Sequence, residues 1–138
     1  MPAFTTESAV RLKFQISDSI IVSSDLVTAS IDMAHEEILR VLAGDVDTQS
    51  PENALVIGET LLAGARLFES LASQDAYSQK RITLGANHIE DGDRFRALTA
   101  AAALAEKQAW YLLEPYLHRR PFRTPLETTV TIPVLGED

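Results

Sequence analysis

The sequence predicts a small, mainly helical domain of three to four helices, with a short β-like loop and an extended C-terminal arm. Three observations carry that prediction. Apolar residues recur at helical spacing over residues 24–43 and 51–72, an alanine-dense stretch runs from Phe95 to Ala105, and the chain after Leu117 turns β-branched and proline-punctuated. The boundaries drawn are 1–118 for the helical domain and 119–138 for the arm. A chain of 138 residues reads as one domain. At that size it buries about two thirds of its unfolded surface, so it folds without the disulfides or Cys-based zinc site that its lack of cysteine rules out.

The first element has two readings. Val10-Arg11-Leu12-Lys13-Phe14-Gln15-Ile16 alternates apolar and polar residues as a half-buried strand does. Thr5-Thr6-Glu7-Ser8 ahead of it supplies the hydroxyl cap and early acid of a helix, which would pair Val10 with Phe14 and Leu12 with Ile16. The balance leans to a short helix, with strand left open for residues 9–16.

The next helix is marked by Ser24 as N-cap, Asp25 at the positive end of the dipole, and a core stripe of Val27, Ile31, Ala34, Ile38 and Leu42. Asp32, Glu36 and Arg40 share the opposite face, and Gly44 is the expected stop in the left-handed conformation. Ser50-Pro51 is then read as N-cap and first residue of a second long helix. Its face is Ala54, Ile57, Gly58, Leu61, Ala65, Phe68 and Leu71, widened by Leu55, Val56 and Leu62, and it ends near Ala72. Gly58 and Gly64 each cost a helix about 1 kcal/mol relative to alanine, which close approach of another backbone would explain.

Residues 73–90 break the pattern. Arg81-Ile82-Thr83-Leu84 alternates and Gly85-Ala86-Asn87 is turn chemistry, so a short strand or hairpin-like loop is expected. Asp91-Gly92-Asp93 opens the third helix, whose alanines let a neighbour come close. Trp110, Tyr111 and Leu113 end it before Pro115. In the tail, Glu127-Thr128-Thr129-Val130-Thr131-Ile132 reads as a strand between prolines. Such a strand either folds back on its own domain or adds to the edge of another subunit's sheet.

Charge and composition exclude several functions. Twenty acids against twelve bases give −8, most of it in residues 1–60, which hold ten acids and only Arg11, Lys13 and Arg40 as bases. Phosphate backbones are bound by Lys and Arg that displace counterions, so this balance disfavours nucleic acid. The cluster His118-Arg119-Arg120 with Arg123 is too short to form a duplex-binding surface. No apolar run approaches the ~18–20 residues that span a bilayer, and the N-terminus lacks signal-peptide character, so a soluble protein of the cytoplasm is expected.

No catalytic or cofactor-binding motif is found: there is no phosphate loop, dinucleotide fingerprint or G-x-S-x-G elbow. His35, His88 and His118 lie in separate elements. Asp32-x-x-His35 is a single near match to the paired motif of di-iron bundles. Asp32, Glu59, Glu69 and Glu106 are read as solvated helix faces, and no metal, cofactor or enzyme activity is expected. His35-Glu36-Glu37 resembles part of a zinc-protease helix, but Leu39 stands where the second histidine is needed. Trp110 is read as core, with Tyr111 and Tyr116 as possible interface anchors. The partner-binding candidates are Arg119, Arg120, Arg123, Val130, Ile132, Arg81, Ile82, Leu84 and Tyr116.

The order of elements resembles a viral family. Thr5 to Phe14 is followed by Ser17-Asp18 and an aliphatic pair, then by a long helix that begins Ser24-Asp25-Leu26 and continues through Ala34-His35. A second helix, the segment Ile82-Thr83-Leu84-Gly85 and an alanine-rich helix ending Trp110-Tyr111-Leu112-Leu113 complete the pattern. Over roughly residues 5–117 this is similar to the head–tail connector adaptors of long-tailed bacteriophages and gene transfer agents. The resemblance implies a structural virion protein assembled in the bacterial cytoplasm. Its partners would be copies of itself in a twelve-membered ring, the portal protein above, and the next connector or tail protein below. DNA would pass through the channel without tight binding. Residues 73–90 would be a projecting loop and residues 119–138 an arm, although the tail with its prolines lies outside the resemblance. The other classes are a small cellular helical module, dimeric through Trp110–Tyr116, and, last, a metal-dependent bundle enzyme.

Overall fold

A computed structural model describes residues 3–81 and 88–118, with side chains described up to residue 76 and again from residue 94. The described chain is mainly helical, as the sequence predicts. It runs α1 (Glu7–Phe14), α2 (Ser24–Val41), α3 (Asn53–Arg81) and α4 (His88–Leu113), closed by a short 3₁₀ turn, Glu114–Tyr116.

The open first element is a helix. The Thr6 side chain accepts from the Ala9 N–H, and Gln15 ends the helix in the left-handed conformation at φ 57°. Val10 is buried and Phe14 meets Phe68 edge to face at 5.0 Å. Leu12 departs from the expected pairing with Ile16 and is 80% exposed.

Two helix boundaries correct the sequence reading. Ser23, not Ser24, caps α2 by accepting from the Leu26 N–H, which frees the Ser24 hydroxyl to donate to Glu7 at 2.8 Å. Gly44 is not a left-handed stop, since no described glycine has positive φ. Leu42 is already extended and forms an isolated antiparallel bridge with Leu117. The Ala43 N–H donates to the Tyr116 carbonyl and the His118 N–H to the Val41 carbonyl, both at 2.9 Å, so a C-terminal helix carbonyl finds its partner across the molecule.

The long helices also differ at their ends. α3 begins at Asn53 rather than Pro51, with the Glu52 carbonyl accepting from Leu55 and Val56. It runs on to Arg81, and α4 starts at His88, so residues 73–81 and 88–90 are helical where a break was expected. The segment after Ala72 lacks an apolar stripe but has no glycine or proline before Gly85. Extending a helix that already exists fixes one residue per hydrogen bond, so good formers such as Gln74, Ala76 and Lys80 suffice. Of the expected strand, Arg81 belongs to α3, while Ile82 and Leu84 lie outside the described residues, as does the whole arm.

α3 is the central layer. It packs most extensively against α4, then α2, then α1. The core joins Val27, Ile31, Ala34 and Ile38 of α2 to Leu55, Leu62 and Leu67 of α3 and to Ala109, Trp110 and Leu113 of α4. Each fully buried leucine or isoleucine contributes about 1.5–3 kcal/mol. Ile57, expected in the core, is instead 40% exposed. The α3 glycines do mark close approach, but of side chains rather than backbone. A Cβ at Gly58 would lie 2.7 Å from Leu113, and one at Gly64 would overlap the Phe14 ring. At about 1.5 Å per residue, the 29 residues of α3 and 26 of α4 far outreach the 18 of α2. Contacts from Gly58–Leu113 through Arg66–Glu106 to Asp75–Arg94 show the two helices antiparallel along this length.

Candidate functional site

Two polar centres sit seven residues apart on one face of α3, at Glu59 and Arg66. The first overturns the reading of Glu59 as a solvated acid, for it is fully buried. Its Oε2 accepts the backbone N–H groups of Phe4 at 2.7 Å and Thr5 at 3.1 Å. Its Oε1 lies 2.7 Å from Nδ1 of His35, itself buried on α2. With Glu59 as a carboxylate, Nδ1–H is the donor in that pair. Beside it, the Thr5 and Thr60 hydroxyls meet at 2.6 Å, and Thr60 donates onward to the Val56 carbonyl. The Phe4 ring stands edge to face with the imidazole at 4.8 Å.

A carboxylate holding one imidazole nitrogen while the other stays free is the arrangement that orients a general base. Here Nε2 of His35 is buried and has no hydrogen-bond partner, so it is closed to a reactant from solvent. Asp32, the other half of the di-iron-like spacing, is exposed on the outer face of α2. Among the described residues no group of three or more His, Cys, Asp or Glu side chains is arranged to hold a metal ion.

The second centre gathers three acids around one cation. Arg66 donates through Nε and Nη2 to Glu37, both at 2.6 Å, and its Nη1 and Nη2 reach Glu106 at 3.2 and 3.1 Å. Glu69 adds a contact at 3.2 Å. The Trp110 indole N–H donates to Glu106 at 3.3 Å. The hydrogen bonds to Glu37, then those to Glu106, raise the Arg66 pKa against the opposing effect of burial. The Arg66 hydrogen bond in turn holds the Glu106 carboxyl below its ordinary value, again against burial. A groove of about 310 Å³ adjoins this centre between α3 and α4, lined by Ala72, Phe95, Thr99 and Ala102 as well as Glu69 and Glu106. The two carboxylates already engage Arg66.

The surface carries two apolar sets on different elements. In the loop before α2, the Asp18 carboxylate accepts from the Ile20 and Ile21 N–H groups, and Arg11 donates to the Val22 carbonyl at 2.7 Å. That fixed loop leaves Ile20 90% and Ile21 71% exposed. On α4, Leu104 and Tyr111 lie seven residues apart and share one face, both exposed.

Of the sequence candidates, Tyr116 lies in the 3₁₀ turn, where its hydroxyl donates to Glu52 at 3.3 Å. Burial, then the neighbouring Glu52 carboxylate, raises its pKa. Arg81 ends α3. Ile82, Leu84, Arg119, Arg120, Arg123, Val130 and Ile132 lie outside the described residues. Sequence reading missed the Glu59–His35 pair, although a signal existed: Leu55 and Leu62 flank Glu59 at i−4 and i+3, which places that acid within the apolar arc. Among the described residues no helix is long and apolar enough to cross a membrane. Comparison with protein-family models, characterised proteins and solved structures yields no match to this chain.

Proposed function

We propose that this protein is a structural subunit of a bacteriophage head–tail connector, an adaptor that forms a ring beneath the portal and docks the next connector or tail protein. The observation that carries the reading is the pair of exposed apolar sets, Ile20 and Ile21 in the loop before α2 and Leu104 and Tyr111 on α4. A closed ring is built from heterologous contacts, in which each subunit offers two different patches to its two neighbours. The order of one short and three longer helices, the last rich in alanine, is consistent with the family resemblance of residues 5–117. The net charge of −8 suits a channel wall past which DNA slides without being held. In this reading the protein resides in the virion at the head–tail junction, with twelve copies per ring by resemblance. It binds no cofactor and catalyses no reaction.

Native mass by light scattering, for the protein alone and with portal rings, tests the proposal. The expected outcome is a monomer that joins the portal in a fixed multiple. A stable dimer indifferent to portal would overturn it in favour of a small cellular binding module. In that case Tyr111, 78% exposed, is a better anchor than the buried Trp110.

A further inference from the structure

Residues 3–6 cross α3 without helix or strand structure of their own. Phe4 and Thr5 are fastened by two backbone N–H groups on Glu59, one hydroxyl pair with Thr60 and one ring contact with His35, with Ala3 and Phe4 only partly buried against the core. Helix α1, immediately downstream, is secured by other means. Thr6 caps it, Glu7 receives Arg11 and Ser24, and the Phe14 ring fills the space over Gly64. Detaching residues 3–5 therefore breaks no contact that α1 needs.

The closed arrangement also contains an unmet polar group. Nε2 of His35 is buried without a partner, a state that costs free energy and ends when water reaches it. Opening loses the contacts of Phe4 and Thr5 but hydrates His35 and Glu59, which narrows the gap between the two states. The geometry points to a releasable strap: residues 3–5, latched by Glu59, lift from α2 and α3 as a unit while the four helices stay folded, and so uncover the Glu59–His35 pair to solvent. This inference does not rest on the connector reading and stands or falls separately from it.

Native-state hydrogen exchange on the full chain tests it. The Phe4 and Thr5 amides are expected to exchange at least about ten times faster than those of Leu62 and Leu67, through an opening insensitive to low denaturant. Glu59→Gln keeps the shape but loses the charge of the acceptor. It should speed exchange at Phe4 and Thr5 about 10- to 100-fold, the range for a hydrogen bond to a charged group, through the same opening insensitive to low denaturant. Labelling with diethyl pyrocarbonate, mapped by peptide mass, should show His35 reacting slowly in the native chain and faster in the variant by a similar factor. Exchange of all four amides at one denaturant-dependent rate in the native chain would overturn the strap, because residues 3–5 would then open only on global unfolding. That measurement decides the matter even if Glu59→Gln fails to fold.

Discussion

Glu59 and Arg66 sit on the same helix, two turns apart, yet they solve opposite problems. Glu59 is sealed, and its partners are mostly backbone N–H groups and an imidazole, none of which carries a fixed charge. Arg66 is also largely buried, but its three carboxylate partners are a quarter to a half exposed. Removing the acid takes the acceptor from buried donors that reach water only when residues 3–5 lift away. Removing the cation leaves acids that can turn to water. A buried charge is thus critical to the fold in proportion to how little its partners can do without it.

The largest effect that follows is at the sealed centre. Glu59→Leu leaves two backbone N–H groups and His35 unmatched and should cost about 3–5 kcal/mol in denaturant unfolding, a large share of a small domain's stability. A cost under about 1 kcal/mol would break the comparison. Between the two centres, Gly64→Ala places a methyl where the Phe14 ring packs. Repacking should cost about 1–3 kcal/mol, partly offset by the ~1 kcal/mol that alanine gains in a helix, and the loss should show as a lower Tm.

Arg66→Met should cost less, about 1–2 kcal/mol, because the freed carboxylates reach solvent. Its pH dependence sharpens the contrast. Glu106 has a folded pKa below its ordinary value of 4.5, so its contribution is complete above about that pH and is lost as pH falls through the folded value. The difference in Tm between the native protein and Arg66→Met should therefore shrink below pH 4.5. A constant difference would remove Glu106 from the account. Smallest of all, Thr60→Val removes one hydroxyl pair and should cost about 1 kcal/mol, detectable as a shift in the denaturant midpoint with unchanged slope.

How much of this could be read from the chain depended on the range of the interaction. The α2 stripe from Val27 to Ile38 repeats within a few residues and is in the core as predicted. Helix ends were less legible. Ser23 and Ser24 are equivalent as letters, and only the fold decides that one caps α2 while the other reaches Glu7 on α1. The continuation of α3 past Ala72 was hidden because its sequence shows propensity without periodicity. The Glu59 centre was hidden because Phe4 and His35 lie 55 and 24 residues away, and a lone acid reads as a solvated one until its flanking leucines are weighed. The arginines and β-branched residues proposed to meet partners lie mostly outside the described residues, so their roles are for the assembly experiment to judge.

The bridge between Leu42 and Leu117 has a kinetic consequence. His118 and Leu42 are 76 residues apart in sequence, and closing so long a loop is entropically costly unless α3 and α4 have already folded back on each other. Protection of the Ala43 and His118 amides should therefore arrive last during refolding. The pair acts as a chronometer of completed topology, reporting that all the intervening helices have been laid down in order.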